Sequence, residues 1–341
     1  MPTKQKTTCI KVLIGLLLFY IALEHLEYDK LSNLVQNARL WLIFLALIIT
    51  IGHILVMITI RTYLLNTFGK INLFTVLKTY FSTAYLTNIL PARAGGILGE
   101  PWGLYSFSRG TIKFNDAFAF CLVITSSQNI RKIALTIIGL VLFFKMLPEY
   151  YAAMIILAVI LYTGYTTTII SVVFLSGKVA LLTEKLRRFM PKKMVSFLLA
   201  MSKIGHQTAA SIKFFLGHQV RVVSGVLILL ILCTLFEAFR IWILLMAFGV
   251  EFNFFYLLLI PSLAYSVTAL PVSLGGFGIT EISGLLVFKA LGIAPEIALA
   301  TTFLDRALST YWTFLVGALL LPFIKLPRKE DFFDNKKEMF E

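Results

Sequence analysis

Apolar runs recur from one end of this chain to the other, and they decide what it can become. Six of them, at about residues 10–26, 40–60, 116–146, 150–176, 220–247 and 297–324, approach or exceed the roughly 20 residues that a helix needs to cross ~30 Å of hydrocarbon. A water-soluble globule has no interior large enough for them. Composition agrees: 59% of the 341 residues are hydrophobic and 14% are charged, against about 45–50% and 25% in soluble domains. Soluble, disordered and fibrous classes are excluded. The predicted class is an all-α polytopic membrane protein.

Two further apolar segments, about 72–108 and 254–290, are broken at their centres. The first reads AYLTNILPARAGGILGEPWGLYSF and the second AYSVTALPVSLGGFGITEISGLLVF. Proline removes a helical donor and clashes with the preceding turn, and paired glycine weakens the helix further. The breaking residues are Pro91, Gly95 and Gly96 in the first, and Pro271, Gly275, Gly276 and Gly278 in the second. Each half is too short to span alone, which predicts a re-entrant hairpin of two half-helices. At an offset of 180, Ala84, Tyr85, Leu90, Pro91, Gly95 and Gly96 recur as Ala264, Tyr265, Leu270, Pro271, Gly275 and Gly276. Paired broken segments of this kind mark the binding sites of transporters built from repeats. The expected architecture is a single membrane domain over 1–341 with two inverted repeats, 10–146 and 150–324. It has six full spans and two hairpins, a basic cytoplasmic connector at 178–218 along the headgroups, and a polar tail at 326–341.

Charge tests the topology. The formal net charge is +14. With the N-terminus inside, 23 of the 31 basic residues fall in cytoplasmic segments, among them Arg61, Lys70, Lys78, Arg93, Arg109 and Lys113, and four fall outside. That asymmetry fits the positive-inside rule. It predicts an integral protein of the plasma (inner) membrane with both termini cytoplasmic. The first run follows Lys4, Lys6 and Lys11 but leads into ALEHLEYD, which offers no small-residue cleavage site, so it reads as a retained helix. Cys9, Cys121 and Cys233 suggest neither a disulfide framework nor a metal site, and the four histidines are scattered. His53 reads as a satisfied interior histidine, and Tyr85 and Tyr265 as interfacial aromatics.

Charge within hydrocarbon is costly and so points to function. The span residues are Arg131, Lys132, Glu237, Arg240, Asp305 and Arg306, joined by Arg93 and Glu100 in the first hairpin and Glu281 after the second glycine pair. Glu237 and Arg240 share a helical face, as an internal ion pair or a working one. Asp305 and Arg306 are adjacent and point about 100° apart, so they take different partners. Half-helix N-termini add a positive dipole end. The set describes an anion-binding cavity for a lipid phosphate, with Asn88, Arg93, Arg131, Arg240, Glu281 and Arg306 as the binding residues and Glu237 and Asp305 as ion-pair residues.

At NILPARAGGILGEPWGLYSFSRG (88–110), PVSLGGFGITE (271–281) and DRALSTYWTFLVGALLL (305–321), the chain resembles the flippase-like transmembrane family named for the membrane region of lysylphosphatidylglycerol synthases. The resemblance covers essentially the whole chain. It implies lipid translocation between leaflets, or membranes that host polyprenyl-phosphate or aminoacyl-lipid chemistry. It implicates Asn88, Pro91, Arg93, Gly95, Pro271, Gly275, Gly276, Gly278, Glu281 and Arg306. One departure is plain: the position matching Asp305–Arg306 in the first repeat is Thr125–Ser126, with Arg131 and Lys132 one to two turns later. No soluble transferase domain is recognised.

The expected function is therefore movement of an anionic lipid, of phospholipid or polyprenyl-phosphate type, between leaflets. A membrane-embedded transferase using a polyprenyl-phosphate donor, with Glu281 or Asp305 as base, and a non-catalytic scaffold are the alternatives. No GxxxxGK[ST], HExxH or GxSxG is found. No enzyme activity, cofactor, metal or nucleic-acid partner is expected. The expected partners are anionic membrane lipids, and self-association is left open.

Overall fold

The computed structural model describes residues 34, 36–89, 94–109, 111–187, 192–267, 276–320 and 323, and among them it is helical with no strand. The first apolar run, the tail from 324, Pro91, Arg93, Pro271 and Gly275 lie outside the described residues. The helices are α1 (Leu40–Leu65), α2 (Leu73–Ile89), α3 (Ala94–Phe107), α4 (Phe114–Phe143), α5 (Glu149–Phe174), α6 (Ser176–Lys185), α7 (Lys192–Gly217), α8 (Gln219–Ala247), α9 (Phe254–Leu257), α10 (Ile260–Ser266), α11 (Ile279–Ala290), α12 (Pro295–Arg306) and α13 (Trp312–Leu320). A π-helical turn, Ala307–Tyr311, joins α12 directly to α13.

Among the described residues, three helices are long and apolar enough to cross a membrane by length and composition: α1, the Glu149–Thr168 part of α5, and α8. Their large apolar side chains face outward, as Leu40, Phe44, Ile48, Ile51 and Leu55 do on α1, which is how a helix meets lipid rather than water. α4 is longer still at 30 residues and carries Arg131 and Lys132 near its middle.

One local detail recurs about 180 residues apart, at the starts of α2 and α9. Asn72 accepts a hydrogen bond from the backbone N–H of Phe74 (3.1 Å), and Asn253 accepts one from Phe255 (2.9 Å). Each asparagine thereby satisfies an amide that the first helical turn leaves unpaired.

α1 and α8 lie antiparallel along their full length. Arg39 N–H bonds Ala247 C=O (3.0 Å) at one end. In the middle His53 Nε2 is 3.5 Å from Cys233 Sγ, and its ring stacks on Phe236. At the other end Arg221 donates to the Tyr63 carbonyl. His53 is thus a satisfied interior histidine.

The remaining packing is reciprocal: α13 packs on α2, and α4 packs on α10. Gly317 allows the first contact, since a Cβ there would stand 2.1 Å from the Phe81 carbonyl oxygen. Thr136 ties the second by donating to the Ser262 carbonyl (3.0 Å).

The two largest buried clusters follow from this. One gathers α4, α5, α8, α10, α11 and α12 around Tyr151, Leu245, Leu263 and Val287. The other gathers α1 to α4 and α8 around Ile58, Leu104, Phe120 and Leu229. The predicted connector forms α6 and α7. α7 is fastened to the start of α4 by Asn115–Gln207 (2.8 Å) and Ser211–Asp116 (2.7 Å).

Candidate functional site

Every arginine of the helix interior described here has a carboxylate. On α1, Arg61 Nη1 donates to Glu100 Oε1 of α3, and both residues are 7% exposed. Between α4 and α8, the Arg131 guanidinium forks onto Glu237, with Nη1 and Nη2 each 3.3 Å from one carboxylate oxygen. Nη1 also donates to Thr234 Oγ1 (2.7 Å). Between α8 and α12, Arg240 Nε is 2.6 Å from Asp305 Oδ1. Between α11 and α12, Arg306 Nε is 3.4 Å from Glu281 Oε1. In a medium that solvates ions poorly such pairing is obligatory, because a lone buried charge costs several kcal/mol.

Two tyrosines complete the second half. Tyr265 on α10 donates to Asp305 Oδ2, and Tyr311 donates to Glu281 Oε1. Tyr311 is the last residue of the π turn, and the Arg306 guanidinium lies 5.5 Å from its ring centroid. A π turn inserts an extra residue into the helical repeat and is frequent at functional positions. The void bounded by Asp305, Tyr265, Thr301 and Thr302 is narrow, with room for about one water. His53, at the centre of the α1–α8 crossing, is within electrostatic reach of Glu237, Arg240, Arg131 and Asp305.

Six of the residues singled out from the sequence form buried or half-buried ion pairs. Arg131, Arg240, Glu281, Arg306, Glu237 and Asp305 all take part. Asp305 and Arg306 do turn to different partners. Glu237 and Arg240, however, do not pair: three residues apart on one helix, they face different neighbours, Arg131 on α4 and Asp305 on α12.

Arg61, counted above in a cytoplasmic segment, is buried within α1. Its signal was the offset: it stands 179 residues before Arg240, as Glu100 stands 181 before Glu281. Tyr265, expected at an interface, is a partner of Asp305. Tyr311 had no sequence signal, since a π turn leaves none.

Asn88 lies in the last turn of α2, and Gly95 and Gly96 in the first turn of α3. Gly276 and Gly278 both adopt φ +80°, a left-handed backbone that glycine enters without penalty, and α11 starts directly after Gly278. Among the described residues no group of three or more His, Cys, Asp or Glu is arranged to hold a metal ion.

The family described as the lysylphosphatidylglycerol synthase TM region matches residues 9–317, and the chain belongs to it. Similar proteins include a UPF0104 membrane protein of Pyrococcus horikoshii, 24% identical over 333 residues, which covers 91% of this chain and 95% of that one. Another, from Methanothermobacter thermautotrophicus, is 24% identical over 276 residues (78% and 79%). A third, from Methanocaldococcus jannaschii, is 23% identical over 337 residues (95% and 97%). No solved structure matches the chain. The chain is therefore an integral membrane protein of this family.

Proposed function

We propose, from membership of that family as premise, that the protein moves an anionic lipid, of phospholipid or polyprenyl-phosphate type, between the leaflets of the plasma (inner) membrane. Its two halves act as inverted repeats with both termini cytoplasmic. The antiparallel α1–α8 pair and the reciprocal α2–α13 and α4–α10 contacts support that reading, because they are what a two-fold axis in the membrane plane demands. α2 and α3, with 17 and 14 residues, reach only about 25 and 21 Å at 1.5 Å per residue, which supports a hairpin that enters and leaves on one side.

The observation that carries the proposal is the set of four buried or half-buried arginine–carboxylate pairs, one of which, Arg131–Glu237, joins the two halves. A phosphate offers an arginine the same fork that a carboxylate does. Arg131, Arg240 and Arg306 thus present positions where a lipid headgroup replaces an internal anion while its tails stay in the bilayer. Rocking of one half against the other opens the site to each leaflet in turn.

The test has two parts. Mass spectrometry of lipid co-purified with the protein is expected to show enrichment of an anionic class. Vesicles holding the protein are expected to exchange a fluorescent phosphatidylglycerol between leaflets, read by dithionite quenching, faster than empty vesicles do. Arg306→Gln should abolish the gain. Absence of both enrichment and accelerated exchange overturns the proposal.

A further inference from the structure

Charge conservation within the second half adds a requirement that the reading above does not meet by itself. Arg240, Asp305, Arg306 and Glu281 are each at most 3% exposed, and together they are neutral. A phosphate monoanion admitted among them leaves one uncompensated negative charge in a medium that screens it poorly. A cation must therefore enter with the anion. The described residues offer one place for it. Glu281 is fully buried, and its Oε1 takes both the Tyr311 hydroxyl and the Arg306 guanidinium. Its Oε2 has no hydrogen-bond partner among the described residues.

We propose that Glu281 is a proton-binding site that takes up one proton for each lipid phosphate admitted beside Arg306. This rests on the transport reading and adds its coupling ion. The proton comes from the aqueous phase on the side from which the lipid enters and settles on Oε2, the oxygen that lacks a partner among the described residues. The Tyr311 hydrogen bond to Oε1 survives, because a neutral carboxyl still accepts through its carbonyl oxygen. The ionic hold on Arg306 is lost, and the guanidinium exchanges the glutamate for the phosphate. The final set comprises two arginines, Asp305, the phosphate and a neutral Glu281, and it is again uncharged. The other titratable and charged groups that packing brings to this region are Asp305 on α12, Tyr265 on α10, Tyr151 on α5 and Lys289 at the far end of α11. Asp305 cannot serve instead, because Arg240 and Tyr265 each occupy one of its oxygens. The first half lacks the device. Its Glu100 meets Arg61 directly, and Thr125–Ser126 stand where the second acid and arginine would be.

The experiment uses the full chain in vesicles, with a trace of fluorescent phosphatidylglycerol and fluorescent phosphatidylcholine as the zwitterionic control. A pH gradient of one unit is expected to drive the anionic probe to about a tenfold excess in the leaflet facing the alkaline side, the ratio that one co-transported proton supports. It should leave the control evenly distributed. Glu281→Gln is expected to lose the accumulation, while any exchange that remains ignores the gradient. Exchange in the wild type that is indifferent to pH, or that follows a sodium gradient instead, overturns the coupling and leaves the transport reading intact. Absence of wild-type exchange overturns both. The wild-type result decides the matter even if the variant fails to fold.

Discussion

The two halves solve one problem with different numbers of charges. In the second, Arg240 on the long helix α8 and Glu281 in the first turn of α11 are kept apart, and each is answered by a residue of α12, Asp305 and Arg306. In the first, the matching positions on α4 are Thr125 and Ser126, and the leftover partners, Arg61 and Glu100, close on each other. Removing an acid and a base together keeps the sum at zero, and the hydrocarbon setting tolerates that. The lesson is that neutrality, not any particular pairing, is what the membrane interior enforces. A pair that has closed on itself is a lock. A quartet divided between three helices retains arginines that can change partner.

That contrast can be broken outright. Arg240→Gln strands Asp305 and should cost about 3–5 kcal/mol, seen as a large fall in the melting temperature of detergent-solubilised protein. The double variant Arg240→Met with Asp305→Leu should recover most of it, because no charge is left unanswered. No recovery in the double variant would show that shape, rather than charge, holds these helices.

The contrast can also be reversed. Thr125→Asp alone places a carboxylate at mid-helix and should destabilise by about 3 kcal/mol. Adding Ser126→Arg supplies the missing charge and should restore at least half, rebuilding in the first half what the second already has. Thermal unfolding of the single and double variants decides it. A double variant as weak as the single one would mean that Arg61 and Glu100 cannot part.

Packing between the halves gives a smaller effect. Gly317→Ala sets a methyl against the Phe81 carbonyl and should cost about 1–3 kcal/mol through the α2–α13 contact. Smallest and most symmetric are the caps. Asn72→Ala and Asn253→Ala should each cost about 1 kcal/mol, and equal values would mark the part of the design on which the halves agree.

Much of this was legible in the residues. Apolar run length located α1, α4, α5 and α8, since a span needs a minimum of apolar residues. Adjacent Asp305 and Arg306 had to diverge, because 100° separates neighbours on a helix. The partners were less legible. Spacing of three placed Glu237 and Arg240 on one face but could not say which neighbouring helix each would meet. Arg61 was hidden by its position near the end of an apolar run, where a loop residue and a buried one look alike. The tyrosines were hidden because a phenol suits an interface as well as a buried acid, and only tertiary packing tells the two apart.

The π turn has a further effect on the molecule. One surplus residue turns everything downstream by about 100°. α13 therefore meets α2 on a face chosen by that surplus, and Gly317 lies against Phe81 because of it. The same five residues aim Tyr311 at Glu281. The phase of the last helix and the environment of the buried acid are set by a single backbone irregularity, so neither can be adjusted without resetting the other.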